Sequence, residues 1–505
     1  MKVLKLITVI TGFFLITLQA GAQYHYDFTP GCRKAYNAIV SLKFQEGKKL
    51  IEQEKAADPD NNIPYLLDNY ISFLTVFISE EEPLFKKLED ESDLIFDRLE
   101  EGDPESPWYR YSLAQVNLQW AVARLKFKEY VTATFEVNRA YRMLEENREK
   151  FPDFLPHYIN LGLLHTLIGT IPDNYNWVKK IVGIEGTIDE GVSEILRVLN
   201  ESMVNPEYYH YKAECLFYLS FIQMNLTTNK AKTLEYINMI RKDSVAMQSP
   251  MAVYAIARIY MSNGKTGEAI DILTNRPRSP EYFPFYYLDF LTGLAKLHRL
   301  DNDASAWLIN FTANFRGINY IKEAYQKLAW YYYIQGDTAR YRDYMKKVLE
   351  NGNDIVDADK QAEREAESGT LPHYHLLRAR LLFDGGFYET AFNELNSEEV
   401  KKSLRDEKEN LEYTYRMGRI LDEWGKKEEA VKYYLQTIEK GKESEYYFAA
   451  NAALKLGMIY EEAGRYDDAL RYYELAQNME NKEYRNSINQ KAKAGINRIE
   501  SRRDS

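Results

Sequence analysis

The sequence predicts an all-α fold in which antiparallel helix pairs stack on one another, and three observations support it. Gly386, Gly425 and Gly464 are spaced 39 residues apart. Each glycine is followed five residues later by an alanine, at Ala391, Ala430 and Ala469. A glycine can end a helix in the left-handed conformation and a small residue lets a second helix approach, so this period indicates a repeated helical hairpin. No segment shows the alternating pattern of a strand.

The N-terminal end resembles an export signal. Lys2 and Lys5 precede an apolar run at residues 6–18, and an Ala-Gly-Ala triplet follows that run. This arrangement predicts a signal peptide at residues 1–22. The run is shorter than a membrane-spanning helix, so no transmembrane segment is expected after the signal is removed. Cys32 lies ten residues beyond the triplet, too far for a lipid-anchored terminus. We therefore expect an exported protein, with the periplasm as its destination.

Composition predicts a folded, water-soluble chain that does not bind nucleic acid. Hydrophobic residues make up 45% and charged residues 28%, which is too apolar for a disordered chain and too charged for a membrane bundle. The formal net charge is −11, and it becomes about −13 when Lys2 and Lys5 leave with the signal peptide. An acidic surface repels phosphate groups, so nucleic acid is not an expected partner.

The cysteines and histidines do not point to a cofactor, a metal site or a catalytic centre. Cys32 and Cys215 could form a disulfide, but several repeats separate them, which favours two buried thiols. The closest histidine pair, His373 and His375, would point in different directions from a helix and could not share a metal. No catalytic motif joins a nucleophile to a base. The chain is therefore expected to be non-enzymatic, with no cofactor and no metal.

The N-terminal half, residues 23–245, carries helical periodicity without clean repeat motifs and is predicted to contain degenerate helical repeats. Aspartate–proline and asparagine–proline pairs separate its helical segments. The helices predicted between these stops are Lys34–Glu54, Ile63–Ile78, Glu82–Leu99, Trp108–Leu125 and Lys128–Arg148.

The repeats are clearest at residues 246–480. In the last one, Gly457 and Ala469 would let two helices approach closely, while Tyr460 and Tyr473 fill the space around that contact. Gly464 would end the first helix of the pair. The segment that follows, 481–505, is predicted to be a polar C-terminal capping helix, because a stack of repeats needs a polar end to stay soluble.

These small and aromatic residues at these offsets resemble the tetratricopeptide repeat (TPR) family. The resemblance implies a right-handed superhelical solenoid with a concave groove that binds other proteins. The chain departs from the family pattern at Tyr341, where a small residue is expected, and at Arg378, where leucine is usual. Its spacing of 39 residues also exceeds the family's length of about 34.

An insertion near residues 169–187 interrupts the repeats. Trp177 and Ile181 belong to one apolar face of it, opposite two lysines. The segment is distantly similar to an insertion in a eukaryotic branch of the TPR family. Two interpretations are open: a short helix that plugs the solenoid, or a protruding apolar hook for a partner or a lipid headgroup. The second interpretation leaves peripheral membrane contact open.

The TPR resemblance also implies which residues line the groove, because the first helix of each hairpin faces it in that family. Carried onto this sequence, the family's contact positions fall on Tyr254, Arg258, Arg380, Tyr415 and Arg419. Arginine forms paired hydrogen bonds with carboxylates and stacks on rings, so such a row could hold an acidic peptide. The alternative is that these arginines pair with the neighbouring acids Asp384, Asp422, Glu423 and Glu461.

The sequence thus predicts a non-enzymatic, exported helical-repeat scaffold that binds protein partners of the cell envelope through its groove. The alternative is a glycan- or nutrient-binding protein of the periplasm or outer membrane, since exposed tyrosines in a groove suit stacking on sugars.

Overall fold

The computed structural model confirms the predicted all-α class, with neighbouring helices packed in pairs as in TPR-like repeats. It describes residues 24–170, 183–226, 230–244, 246–481 and 483–503. Within these ranges the only β-type pairing is two isolated bridges, Tyr24 with Gly102 and His25 with Asn61. No helix of these ranges combines the length and the apolar character needed to cross a bilayer.

The chain divides into two compact units. The first unit contains the described residues up to 259, together with 271–288 and 314–318. The second unit contains 260–270, 289–313 and the described residues from 319 onward.

Ten helices of the described chain lie wholly in the first unit. They are α1 (Pro30–Val40), α2 (Phe44–Ala57), α3 (Ile63–Ser79), α4 (Glu82–Glu100), α5 (Pro107–Lys126), α6 (Tyr130–Lys150), α7 (Pro156–Gly169), α8 (Ile188–Val204), α9 (Lys212–Asn225) and α10 (Lys230–Arg241). Four of the five helices predicted for this half match α3 to α6 to within about two residues at each end.

The remaining prediction for this half was wrong: Lys34–Glu54 is not one helix but parts of α1 and α2. The break lies at Leu42, which takes a left-handed backbone conformation with φ 62°. The Lys43 amide then donates to the Ala38 carbonyl at 2.8 Å, which closes the end of α1. Glycine is the usual residue at such a position, and here a fully buried leucine holds it instead.

Four helices have residues in both units: α11 (Pro250–Ser262), α12 (Thr266–Thr274), α13 (Tyr287–His298) and α14 (Ala304–Asn314). The second unit continues with α15 (Ile321–Ile334), α16 (Thr338–Glu350), α17 (Asp357–Ser368), α18 (Tyr374–Asp384), α19 (Tyr388–Leu395), α20 (Glu398–Ser403), α21 (Glu407–Glu423), α22 (Lys427–Gly441), α23 (Phe448–Glu462), α24 (Tyr466–Asn478) and α25 (Arg485–Arg503).

The glycines of the 39-residue period end the first helix of each hairpin, as predicted. Gly386, Gly425 and Gly464 have φ values of 79°, 82° and 71°. In each case the amide after the glycine donates back to a carbonyl five residues earlier, at 2.8–2.9 Å. This is a Schellman closure, and the left-handed residue within it explains the need for glycine.

Helix pairing in these hairpins depends on tyrosine rings that pack against glycines. A Cβ atom on Gly457 would lie 2.6 Å from the ring of Tyr473, and one on Gly418 would lie 2.7 Å from the ring of Tyr434. Gly495 of α25 packs against the other edge of the Tyr473 ring. The close approach predicted at Gly457 is therefore between helix backbone and an aromatic ring.

The closing helix α25 is polar but buries one narrow side. It buries Ile488, Ala492 and Ile499 against α23 and α24. Its lysines, Lys491 and Lys493, are exposed. The helix therefore covers the apolar face of the last hairpin and presents charge to the solvent.

Both cysteines of the chain are buried free thiols, as the sequence analysis favoured. Cys32 lies in α1 and Cys215 in α9. Burial raises the pKa of the Cys32 thiol to about 11, and it also raises the pKa of Cys215. The two side chains therefore remain protonated near neutral pH and act as packing residues.

Candidate functional site

The candidate site is a cavity of about 300 Å³ in the second unit. Most of its wall comes from α18, α21 and α23, which are the first helices of the hairpins α18/α19, α21/α22 and α23/α24. Gln361 of α17 and Tyr484 complete it. The lining residues are Gln361, Ala379, Arg380, Phe383, Asp384, Tyr415, Arg416, Arg419, Ile420, Tyr447, Asn451 and Tyr484. We call this cavity the arginine pocket.

The repeat period explains why two arginines meet here. Arg380 and Arg419 are 39 residues apart, so they occupy the same position on the first helices of successive hairpins. Stacking of the hairpins brings these positions to one wall, because equivalent positions of a repeat face the same side. Tyr415 lies one helical turn before Arg419 and lines the same wall.

Arg419 is held in the wall without a carboxylate partner. One terminal nitrogen, Nη1, donates to the hydroxyl of Tyr415 at 3.1 Å, and the guanidinium lies 4.9 Å from the centre of the Phe383 ring. Its Nε atom is buried and has no hydrogen-bond partner. Among the described residues no carboxylate, that of Glu423 included, lies within ion-pair distance of this side chain. Arg419 therefore keeps hydrogen-bonding capacity for an anion.

The other two arginines of the pocket differ in how firmly they are paired. Arg380 stands 3.8 Å from the exposed Asp384 and 4.8 Å from the centre of the Trp330 ring. Arg416 donates to Glu412 through Nε at 2.7 Å. Arg380 is thus loosely paired, whereas Arg416 already has a close carboxylate.

Two of the acids that could have neutralised these arginines are engaged elsewhere. Asp422 accepts from Lys427 at 2.7 Å and from the Tyr434 hydroxyl at 3.2 Å. Glu461 accepts from Arg498 at 2.7 Å and from the Tyr473 hydroxyl at 2.6 Å. The alternative prediction was that the arginines pair with neighbouring acids. It therefore applies to Arg380, which lies near Asp384, and it does not apply to Arg419.

The lining is basic although the chain is acidic. Three arginines and one aspartate are its charged residues, in a protein with a formal charge of −11. The charge of Arg419 also reaches Lys455 of α23: burial lowers the pKa of this lysine, and the positive charge of Arg419 lowers it further. A pocket of this kind attracts anions, since low-dielectric walls strengthen the field inside a cleft.

Tyrosine rings form the rest of the wall. The Tyr447 ring lies 5.9 Å from that of Tyr415 and 4.9 Å from that of Tyr484, which is half exposed. Such rings offer apolar surface together with a hydroxyl group, as is common in recognition sites.

The structure places Tyr254 and Arg258, two further predicted site residues, outside this pocket. Tyr254 belongs to the first unit, where its ring packs at 5.7 Å from Phe285. Arg258 is also in the first unit. Burial raises the pKa of Tyr254, and the positive charge of Arg258 lowers that pKa in part. Trp177 and Ile181, the predicted hook, lie outside the described residues.

Sequence reasoning missed several lining residues. Arg416 lies three residues before Arg419 on α21, so helical spacing alone could have added it to the same face. Tyr447 and Asn451 begin the next repeat. Tyr484 precedes α25 and lies beyond the last of the 39-residue repeats, so that period could not have assigned it to this pocket.

A separate group of metal-ligating side chains lies in the first unit. His165 of α7 stands near Glu190 and Glu194 of α8, with one ligand atom from each residue inside a distance of 4.8 Å. Burial lowers the pKa of His165, but the nearby carboxylates of Glu145 and Glu194 outweigh burial and raise this pKa to about 9. No local spacing links a histidine of α7 to glutamates of α8, so this group could not be predicted from the sequence. Only the packing of the two helices brings them together.

Residues 415–486 match a family model described as tetratricopeptide repeat. The matched stretch runs from Tyr415 of α21 into α25 and includes Arg416 and Arg419 of the arginine pocket. No curated protein matches the chain. The match and the paired-helix architecture support a scaffold for protein interaction.

Proposed function

We propose that this protein is a non-enzymatic scaffold that holds an acidic, extended segment of a partner protein in the arginine pocket. The observation that carries the proposal is Arg419, a guanidinium in the pocket wall with an unpaired Nε atom and no carboxylate partner among the described residues. Leaving a buried donor unpaired costs free energy, and a carboxylate from a partner would recover it.

The shape of the pocket suits a peptide side chain. A guanidinium binds a carboxylate through two parallel hydrogen bonds, and Arg380 and Arg419 each present such a group. The rings of Tyr415 and Tyr447 offer an apolar wall for the methylene groups of a glutamate. An acidic segment therefore complements both the charge and the surface of the pocket.

We further propose that the protein is exported and that its partner belongs to the cell envelope. The two lysines, the apolar run and the small residues at 1–22 support export. The glycan-binding alternative stays a prediction, since no observation on the described residues favours it.

The test is a charge reversal in the pocket, Arg380→Glu together with Arg419→Glu. Binding of a short glutamate-rich peptide, followed by fluorescence anisotropy, is expected to be lost, while helicity and the melting temperature stay unchanged. The matched control is Arg340→Glu with Arg471→Glu, since both side chains are about two-thirds exposed in the second unit. The control is expected to bind the peptide nearly as well as the unmodified chain.

The same variants then identify the natural partner by cross-linking in intact cells. An envelope protein that is captured by the unmodified chain and the control, but lost in the pocket reversal, would support the proposal. Equal peptide binding by all three chains would rule out the arginine pocket as the binding site.

A further inference from the structure

The group formed by His165, Glu190 and Glu194 has the chemistry of a metal site. Nδ1 of His165 lies 2.7 Å from Oε2 of Glu194 and 3.9 Å from Oε1 of Glu190. The histidine is buried, the Glu194 side chain is nearly so, and Glu190 is 46% exposed. The ligand atoms thus converge at a point that solvent can reach from one side.

A close crossing of two helices brings these residues together. Cβ atoms on Gly162 of α7 and Gly191 of α8 would each lie within 2.6 Å of the other glycine's carbonyl oxygen. His165 follows Gly162 by three residues and Glu194 follows Gly191 by three, so both side chains project from the crossing. Glu190 lies one turn before Glu194 on the same face of α8.

Among the residues that the structure describes, carboxylates outnumber cations around this point. Glu145, Glu190 and Glu194 surround the imidazole, and Arg148 is the guanidinium beside them. Arg148 pairs with Glu145 and stands 3.4 Å from Glu194. Once the ion has displaced the proton from Nδ1, His165 is neutral, and Glu145, Glu190 and Glu194 exceed Arg148 by two negative charges, which matches a divalent cation.

The far side of the imidazole provides an independent observation. Oε1 of Glu145 is buried and has no hydrogen-bond partner, and it lies 3.6 Å from Nε2 of His165. A histidine that binds a metal through one nitrogen usually donates its other N–H to a carboxylate, which fixes the orientation of the ring. Glu145 is placed for that role, and the donated proton would satisfy its unpaired oxygen.

We propose that the structure holds a site for one divalent transition-metal ion between α7 and α8. Its ligands are Nδ1 of His165 and one carboxylate oxygen each from Glu190 and Glu194. The ion takes the place of the proton on Nδ1, and water completes its coordination on the exposed side. Mixed imidazole and carboxylate ligands favour Zn²⁺ and similar ions over Ca²⁺ or Mg²⁺.

The distances allow such coordination with a small movement of one side chain. Ligands of a tetrahedral zinc ion are about 3.4 Å apart when each bond is about 2.1 Å. The separations of Nδ1 from the two carboxylate oxygens, 2.7 and 3.9 Å, lie on either side of that value. Glu190 is the exposed ligand, so it can adjust its rotamer at little cost.

The experiment titrates Zn²⁺ into the full chain, purified without a polyhistidine tag and stripped with a chelator. Calorimetry is expected to show one ion per chain, and Co²⁺ is expected to give visible absorption bands of a nitrogen–oxygen site. Glu190→Gln is expected to weaken binding by about tenfold or more. Its matched control is Asp189→Asn, which removes the same charge from an exposed neighbour in the first turn of α8.

The possible results distinguish a specific metal site from weak binding of metal ions to surface carboxylates. Binding that falls in Glu190→Gln but stays within about twofold in Asp189→Asn supports the proposal. No stoichiometric uptake, or equal binding by the two variants, overturns it. Circular dichroism of each variant checks that the helices are intact, and the exposure of Glu190 makes that the expected result.

Discussion

At the residue scale, His210 shows how burial sets a side chain's chemistry. Its ring lies 5.1 Å from Phe28, 5.4 Å from Tyr36 and 4.0 Å from Tyr211. Burial, followed by the positive charge of Arg33, lowers its pKa from 6.5 to about 4. The folded protein therefore holds this histidine neutral, whereas the unfolded chain would protonate it near pH 6.5.

The lowered pKa predicts a loss of stability in mild acid. The unfolded state binds a proton at a higher pH than the folded state, so the free energy of unfolding falls as the pH drops from 6.5 towards 4. His210 is expected to remove about 1–2 kcal/mol between pH 7 and pH 5. His210→Phe should lose that part of the dependence, as measured by urea unfolding at both pH values. Identical pH dependence in the two chains would contradict the assignment, and measurements at pH 8 serve as the control.

At the element scale, the hairpins depend on small residues beneath tyrosine rings. Sequence reasoning predicted the helix ends at the three repeated glycines, because local backbone geometry requires glycine there. It did not predict that Gly495 of α25 would pack against Tyr473, since nothing in the period extends beyond the last repeat. It also missed the break at Leu42, where burial holds a non-glycine residue in the left-handed conformation.

This packing predicts how one added methyl group at Gly457 would change the stability of the fold. Gly457→Ala would place a Cβ atom 2.6 Å from the Tyr473 ring, so the ring or the helix must move. The expected cost is about 1–3 kcal/mol of unfolding free energy, measured by urea denaturation.

The matched control for that change is Gly267→Ala. A Cβ atom there meets nothing within 4 Å, and the residue lies in α12. Alanine is the better helix former, so this variant should be neutral or slightly more stable. Equal destabilisation by both changes would show that contact with Tyr473 is not the cause.

At the scale of the whole molecule, a basic pocket stands within an acidic chain. Arg380, Arg416 and Arg419 line one cavity, although acidic residues outnumber basic ones by 76 to 65. This contrast favours partners with a local cluster of negative charge, because the pocket attracts that cluster and the rest of this protein's acidic surface repels it. It also makes the electrostatic part of binding sensitive to salt.

The charge contrast predicts the salt dependence of peptide binding. The screening length falls from about 30 Å at 0.01 M to about 8 Å at 0.15 M ionic strength. Affinity for the glutamate-rich peptide should fall across this range, as measured by anisotropy. A glutamine counterpart of the same peptide serves as the control and should bind weakly at every salt concentration. Salt-independent binding of the acidic peptide would contradict capture by the arginines.

The sequence by itself determined the all-α class, the ends of the repeated hairpins and the shared register of Arg380 and Arg419. These features follow from local conformational preferences and from a fixed repeat period, and the amino-acid sequence alone specifies both. Tertiary structure alone decided that Arg419 has no carboxylate partner in the described part of the chain, that Tyr484 joins its pocket and that a histidine of α7 meets two glutamates of α8. Those facts depend on how distant helices pack, and burial and contact between distant residues leave no periodic trace in the sequence.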